Sequence, residues 1–436
     1  MIALISRPFI FLALLLLVFS CKKEEPVEVT EENLLQSLNA LEDVSATEIT
    51  PENSFRRQFA IDLTLPVDHE NPGGQTFVQR MYLSHTGLEE PMVLKLSGYT
   101  GSARSVSELC PMLGANQIYI PHRGYTEATI EPMKWEHLNI EQAAADNHRL
   151  VELMKSIYQG EWISTGASKG GMTALFLEYH YPEDADVVVA YVAPMISGYP
   201  DERVNSFVKA LGGLKVQAEI RKFQRTLLEN RDSSLFYFDE YTQQLGYSYK
   251  HVDIETALEL GVMEYAIYLW QYWGGNSYFY ETENISHREM VGRWYEVSSP
   301  GLYSDESREF SNLFYYQAFS EFGYYELMEE PVSDLLQKAD KDGLKLFIPG
   351  GVSMDPDFEK MDIISSWLES SGEQILYIYG GLDPWTACQV SPDEGLNALK
   401  VIQPGATHSI KLQDCDLKDQ AYDKLDEWLE TDVERL

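Results

Sequence analysis

A chain of 436 residues, 44% of them hydrophobic, is long enough for one large domain with an insertion, or for two domains. Its formal net charge of −36 excludes a nucleic-acid surface, which must be basic, and disfavours an anionic membrane face as partner. Such a charge keeps a protein soluble and attracts cationic ligands, among them peptides with free amino termini.

The opening "MIALISRPFIFLALLLLVFSC" carries one early arginine, Arg7, and then an apolar run over residues 9–19 that is short for a membrane span. It ends in Val18-Phe19-Ser20-Cys21, which resembles a bacterial lipobox, although Phe19 is atypical. Residues 1–20 therefore read as a signal peptide and Cys21 as a lipidation site. The expectation is an exported lipoprotein on the periplasmic face of the outer membrane or on the cell surface, touching membrane only through its anchor. Lys22, Lys23, Glu24 and Glu25 resemble a surface-export signal. Residues 21–50 are acidic and read as a tether with one short helical patch. Beyond Cys21 stand Cys110, Cys388 and Cys415, an odd number that leaves at least one thiol free, with Cys388 and Cys415 a conceivable pair. No zinc spacing is present, and neither metal nor cofactor is expected.

"FRRQFAIDLTLPVDHENPGGQTFVQRMYLSHT" predicts two strands joined by a turn rich in Asn, Pro and Gly. "PMVLKLSGYTGS" and "NQIYIPHRGY" add a strand each. "NIEQAAADNHRLVELMKSIY" predicts a helix with a capping box of Asn139 and Gln142 and an apolar face of Leu150, Leu153, Met154 and Ile157. "DVVVAYVAP" is a strand apolar on both faces. From 197 to 341 the chain turns helical and aromatic, and strands resume at "EQILYIYGGLDPW" and "ALKVIQPGATHS". The order predicts an α/β fold: a doubly wound, mostly parallel sheet of residues 51–196 and 342–436, interrupted by a helical cap over 197–341.

Within "ISTGASKGGMTALFLEYHYP", Ser168 sits between Gly166 and Gly170 where a strand must turn into a helix. Gly-x-Ser-x-Gly in that setting is how α/β-hydrolases lift a nucleophile clear of the sheet. Asp383 and His408 each follow a later predicted strand, giving the order serine, acid, histidine of that fold. His408 is the only histidine beyond the last candidate acid strand, whereas His122 and His148 precede the serine. Lys169 supplies one backbone N–H for an oxyanion hole, and Tyr99 or Thr100, after "MVLKLSGY", the other. The Lys169 side chain is expected in a structural ion pair.

The stretch from "HLNIEQAAADNHRL" through "GASKGGM" to "DVVVAYVAP" closely resembles the secreted prolyl tri/tetrapeptidyl aminopeptidases, as do "LPVDHENPG", "PHRGY", "YGGLDPW" and "GATHS" in their order. The resemblance covers roughly residues 55–415. It implies an α/β-hydrolase fold with a cap, a triad of Ser168, Asp383 and His408, and release of short peptides from free amino termini, often after proline. Family members carry a bulky aromatic pair where this chain has Gly124 and Tyr125, which leaves the shape of the neighbouring pocket open. An esterase would use the same triad, and a non-catalytic surface binding protein would keep the fold alone. For the peptide's ammonium group the chain offers Glu264, an acid among apolar residues in "VMEYAIYLWQYW", with Tyr265, Trp270 and Tyr272 as aromatic walls.

Overall fold

The computed structural model describes residues 28–435, so the signal peptide and Cys21 lie outside the described residues. Nine strands form one sheet: β1 (Val44–Ile49), β2 (Arg57–Pro66), β3 (Thr76–His85), β4 (Met92–Leu96), β5 (Asn116–Ile120), β6 (Trp162–Ala167), β7 (Val187–Tyr191), β8 (Ile375–Gly380) and β9 (Leu399–Gln403). They lie in the order β1-β2-β3-β5-β4-β6-β7-β8-β9. The first three pair antiparallel, with β3 antiparallel to β5, and everything from β5 to β9 runs parallel.

The difference shows in the side chains. On β2, Phe59, Ile61, Leu63 and Leu65 are buried on alternate positions while Thr64 faces water, as an antiparallel strand with one wet face requires. β7 and β8 are buried at every residue. Val187, Val189, Leu376 and Ile378 face the short α2 (Leu109–Leu113) and the C-terminal α12 (Lys418–Trp428). Val188, Ala190, Ile375 and Tyr377 pack instead with the cluster that includes α3 (Ile140–Met154), α4 (Lys169–His180) and α11 (Glu359–Ser370). Each fully buried aliphatic side chain of this kind contributes about 1.5–3 kcal/mol.

Two expectations need correction. The tether is shorter than residues 21–50: α1 (Leu34–Leu38) buries Leu34 and Leu38 completely, and β1 pairs along β2, because this acidic stretch still carries enough leucine to join the core. The conceivable Cys388–Cys415 pair is not formed. All three cysteines among the described residues are buried free thiols, and Cys388 and Cys415 sit in different apolar clusters. The capping box is half built: Asn139 accepts from the Gln142 N–H at 2.9 Å, but the Gln142 side chain turns away to accept from the His69 N–H at 2.8 Å.

Between β7 and α11 come α5 (Glu202–Ala210), α6 (Gly213–Glu229), α7 (Arg231–Leu245), α8 (Ile254–Trp273), α9 (His287–Ser298) and α10 (Arg308–Gln317). A wide π-type turn over Ala318–Phe322 follows α10. Most of this insert's core is its own, and much of it is aromatic. The long α8 is buried nearly all round.

Candidate active site

Strand order reverses at β4, whose neighbours are β5 and β6, so a crevice opens outside the carboxyl ends of β4 and β6. Ser168 stands between β6 and α4 there with φ 56° and ψ −126°, a backbone region that non-glycine residues rarely enter. The turn is held by the Ser168 N–H on the Tyr191 carbonyl at 2.9 Å and the Met172 N–H on the Ser168 carbonyl at 2.9 Å. It leaves no room for side chains at its flanks. A Cβ on Gly166 would stand 2.2 Å from the Gly170 carbonyl oxygen, and one on Gly170 would stand 2.5 Å from that of Leu96. The glycines are therefore dictated by close approach of β4, β6 and α4.

Asp383 follows β8 and is fully buried. Its Oδ2 lies 2.7 Å from His408 Nδ1, and its Oδ1 accepts from the Trp385 N–H at 3.2 Å. The acid and histidine loops are zipped together by Gly381 N–H on the Gln403 carbonyl at 2.9 Å and Leu382 N–H on the Ala406 carbonyl at 2.8 Å. The His408 N–H reaches the Gln271 carbonyl of α8 at 2.8 Å, and its ring stands edge-on to Tyr272, 5.7 Å between centroids. An imidazole held through Nδ1 by a buried carboxylate presents Nε2 as a proton acceptor. No hydrogen bond joins Ser168 Oγ to His408 among the described residues, a contact that often tightens only with substrate.

Ser168, Lys169, Tyr99 and Tyr272 share one cavity of about 250 Å³. The insert supplies most of the rest of its wall, including Tyr268, Phe310, Phe314, Tyr315, Tyr324 and Tyr325, while Trp385 comes from the loop after Asp383. A larger groove of about 900 Å³ touches Gly166 and Ala167 but not Ser168, so the smaller cavity is the one at the serine.

The remaining predicted residues fall out unevenly. The Tyr99 N–H is already given to Ser97 Oγ at 3.0 Å and would have to exchange that bond to receive an oxyanion, whereas Thr100 accepts from the same hydroxyl through its carbonyl at 2.8 Å. Lys169 forms no ion pair among the described residues. Its Nζ donates to Gln317 Oε1 at 2.6 Å and lies over the rings of Tyr99, Tyr125 and Phe322 at 5.2, 4.9 and 5.6 Å. Burial drives this amine well below the usual lysine range, partly opposed by Glu321. Neither Gly124 nor Tyr125 lines the cavity: Gly124 takes φ 88° beside Leu138 and Leu313, and Tyr125 packs behind the wall, edge-on to Tyr99 and Phe310.

Trp270 is not a wall. It is buried in the insert's core and does not reach the cavity, and Tyr265 is likewise core, its hydroxyl spent on the Phe279 carbonyl at 2.7 Å. Glu264 is neither solvated nor at the surface of the cavity. It is fully buried and accepts hydrogen bonds from the hydroxyls of Tyr303 and Tyr325, the second of which lines the cavity. Burial raises it to about 7 against those two bonds. Tyr268 and Gln271 are the wall residues that sequence reasoning missed on α8. Positions 264, 268, 271 and 272 share one helical stripe, and that spacing was available to find them.

Over 350 residues the chain is 29% identical to the prolyl tri/tetrapeptidyl aminopeptidase of Streptomyces mobaraensis, covering 79% of this chain and 73% of that one. Among solved structures, proline iminopeptidase of Mycobacterium smegmatis aligns at TM-score 0.37 and 11% identity over 84% of this chain and 98% of its own. A 2-hydroxy-6-oxo-6-phenylhexa-2,4-dienoate hydrolase of Rhodococcus sp. strain RHA1 aligns at 0.36 and 13% over 85% and 98%. The α/β-hydrolase fold rests on the strand order and the strained serine turn. The model of the PS-10 peptidase S37 family matches residues 25–431, and the chain belongs to that family.

Proposed function

We propose that this peptidase is a serine exopeptidase that removes tri- and tetrapeptides from free amino termini, with preference for cleavage after proline. Ser168 Oγ attacks the scissile carbonyl, His408 takes its proton and returns it to the leaving amine, and Asp383 holds the imidazole and steadies its charged form. The Lys169 N–H and an N–H of the Tyr99–Thr100 loop receive the oxyanion. The observation that carries the reading is a small cavity at Ser168 whose far wall is tyrosine backed by a buried carboxylate.

No acidic side chain lines that cavity among the described residues, so the substrate's ammonium group is met indirectly. Tyr325 donates its proton to Glu264, which turns the lone pairs of its oxygen toward a donor such as an ammonium group, and Glu264 supplies the compensating charge. Tyr272 and Tyr268 offer flat faces for a proline ring. A cleft that ends at this wall fixes how many residues fit between the amino terminus and Ser168. The test is a matched pair of peptides, one acetylated at its amino terminus. Acetylation should abolish cleavage, and equal cleavage of both would leave an endopeptidase or an esterase.

Export as a lipoprotein anchored through Cys21 belongs to the same proposal, supported by the short apolar run and Ser20-Cys21. Detergent partitioning of the wild type against Cys21→Ala tests it. Both remaining in the aqueous phase would contradict it.

A further inference from the structure

Lys169 is a buried amine, 2% exposed, with no carboxylate within ion-pair distance among the described residues. Burying an amine that has no counter-charge opposes folding, and an apolar side chain of similar length would fill the site more cheaply. Its contacts show what the amine holds together. The stem presses on Gly98 so closely that a Cβ there would lie 2.5 Å from Lys169 Cβ, and Gly98 lies in the loop after β4. The Nζ is fastened to Gln317, itself fully buried, at the last turn of α10. That helix and the wide turn after it carry Phe310, Phe314, Tyr315, Ala318 and Phe322 of the cavity wall.

We infer that the Lys169 side chain is a positioning residue that couples the aromatic insert to the oxyanion hole. The residue whose backbone N–H faces the oxyanion is the one whose side chain grips the wall that substrate touches. Substrate seated against α10 holds Gln317, Gln317 holds the amine, and the amine holds the elbow and the Gly98 loop in register. The inference rests on Ser168 being the nucleophile. A donor displaced by a fraction of its bond length loses much of its worth in the transition state while ground-state binding is little changed.

The experiment compares the wild type with Lys169→Met, Gln317→Leu and the double variant, reading kcat, KM, Tm and the rate at which a fluorophosphonate labels Ser168. Each single variant should lose on the order of 10- to 100-fold in kcat with KM within about threefold, and the labelling rate should fall with kcat. The double variant should be no slower than the slower single one, because both changes cut one link. Its Tm should equal or exceed the wild type's, since the buried amine and its partner leave together. Full kcat in Lys169→Met, multiplicative losses in the double variant, or a rise in KM alone would overturn the coupling. If Lys169→Met does not fold, Gln317→Leu alone decides between them by the same split. Failure of the fluorophosphonate to label wild-type Ser168 would instead overturn the nucleophile assignment.

Discussion

The cavity has two halves built by opposite means. On the sheet side the chemistry is set by backbone: Gly166 and Gly170 because nothing larger fits, Ser168 on a strained turn, and the Asp383 and His408 loops zipped by main-chain bonds. On the insert side it is set by side chains, mostly tyrosines and phenylalanines, with Glu264 buried behind them and Gln317 gripping Lys169. A half made of backbone admits few sequences and performs one reaction. A half made of side chains can be repacked, and so it is where substrate choice is written.

Changes on the sheet side should therefore abolish turnover, and changes on the insert side should redistribute it. Ser168→Ala should lower kcat by on the order of ten-thousandfold or more, about 5.4 kcal/mol of barrier, with the Tm held, since alanine keeps the Cβ and the same turn. Retention of even a tenth of the activity would break the comparison at its root. Asp383→Asn should cost on the order of a thousandfold or more, because the amide cannot hold the required imidazole tautomer. Loss of less than tenfold would remove Asp383 from the triad.

Across the cavity, Glu264→Gln should raise KM for free peptides by about tenfold while changing kcat by less than about threefold, since the carboxylate steers the amine and takes no part in bond making. An equal fall in kcat would place it with the sheet half. The same group makes the insert sensitive to pH. Burial raises Glu264 to about 7 from an ordinary value of 4.5, so between those values the native state holds a proton that the unfolded chain has released. Stability then falls as pH rises through that window. Glu321, lifted by burial to about 8, acts in the same direction. On the proposed reading, affinity for the ammonium group should move the other way and improve as Glu264 ionises above about 7. Tm measured from pH 5 to 8 should decline in the wild type and decline less in Glu264→Gln. Parallel curves would show that Glu264 does not titrate in the native state.

How much of this was legible in the sequence follows the same division. The strained turn at Ser168 and the contact of Asp383 with His408 were foreshadowed because close-packed backbone leaves a local signature of glycine, and because both residues follow late strands in the chain. The strands could be placed because β7 and β8 are apolar on both faces while β2 alternates. The cavity wall was not readable. Trp270 and Tyr268 lie two residues apart on α8 and look alike in sequence, yet one is core and the other is wall, a distinction made by the insert's packing. The partner of Lys169 lies 148 residues away in the chain, and a short-range pattern carries no trace of it. The tether expectation fails for a related reason: a short helical patch in an acidic stretch gives no sign that the sheet's edge buries Leu34 and Leu38.

The central claim is that Ser168 carries a short peptidyl group whose length the insert's wall determines. Rapid quenching of a turning-over mixture into acid, followed by peptide mapping, reads both parts at once. The account predicts a covalent adduct of three or four substrate residues on the peptide that contains Ser168, with the substrate's own amino terminus intact at its end. An adduct on another residue, or one whose length follows the substrate rather than the enzyme, would contradict it.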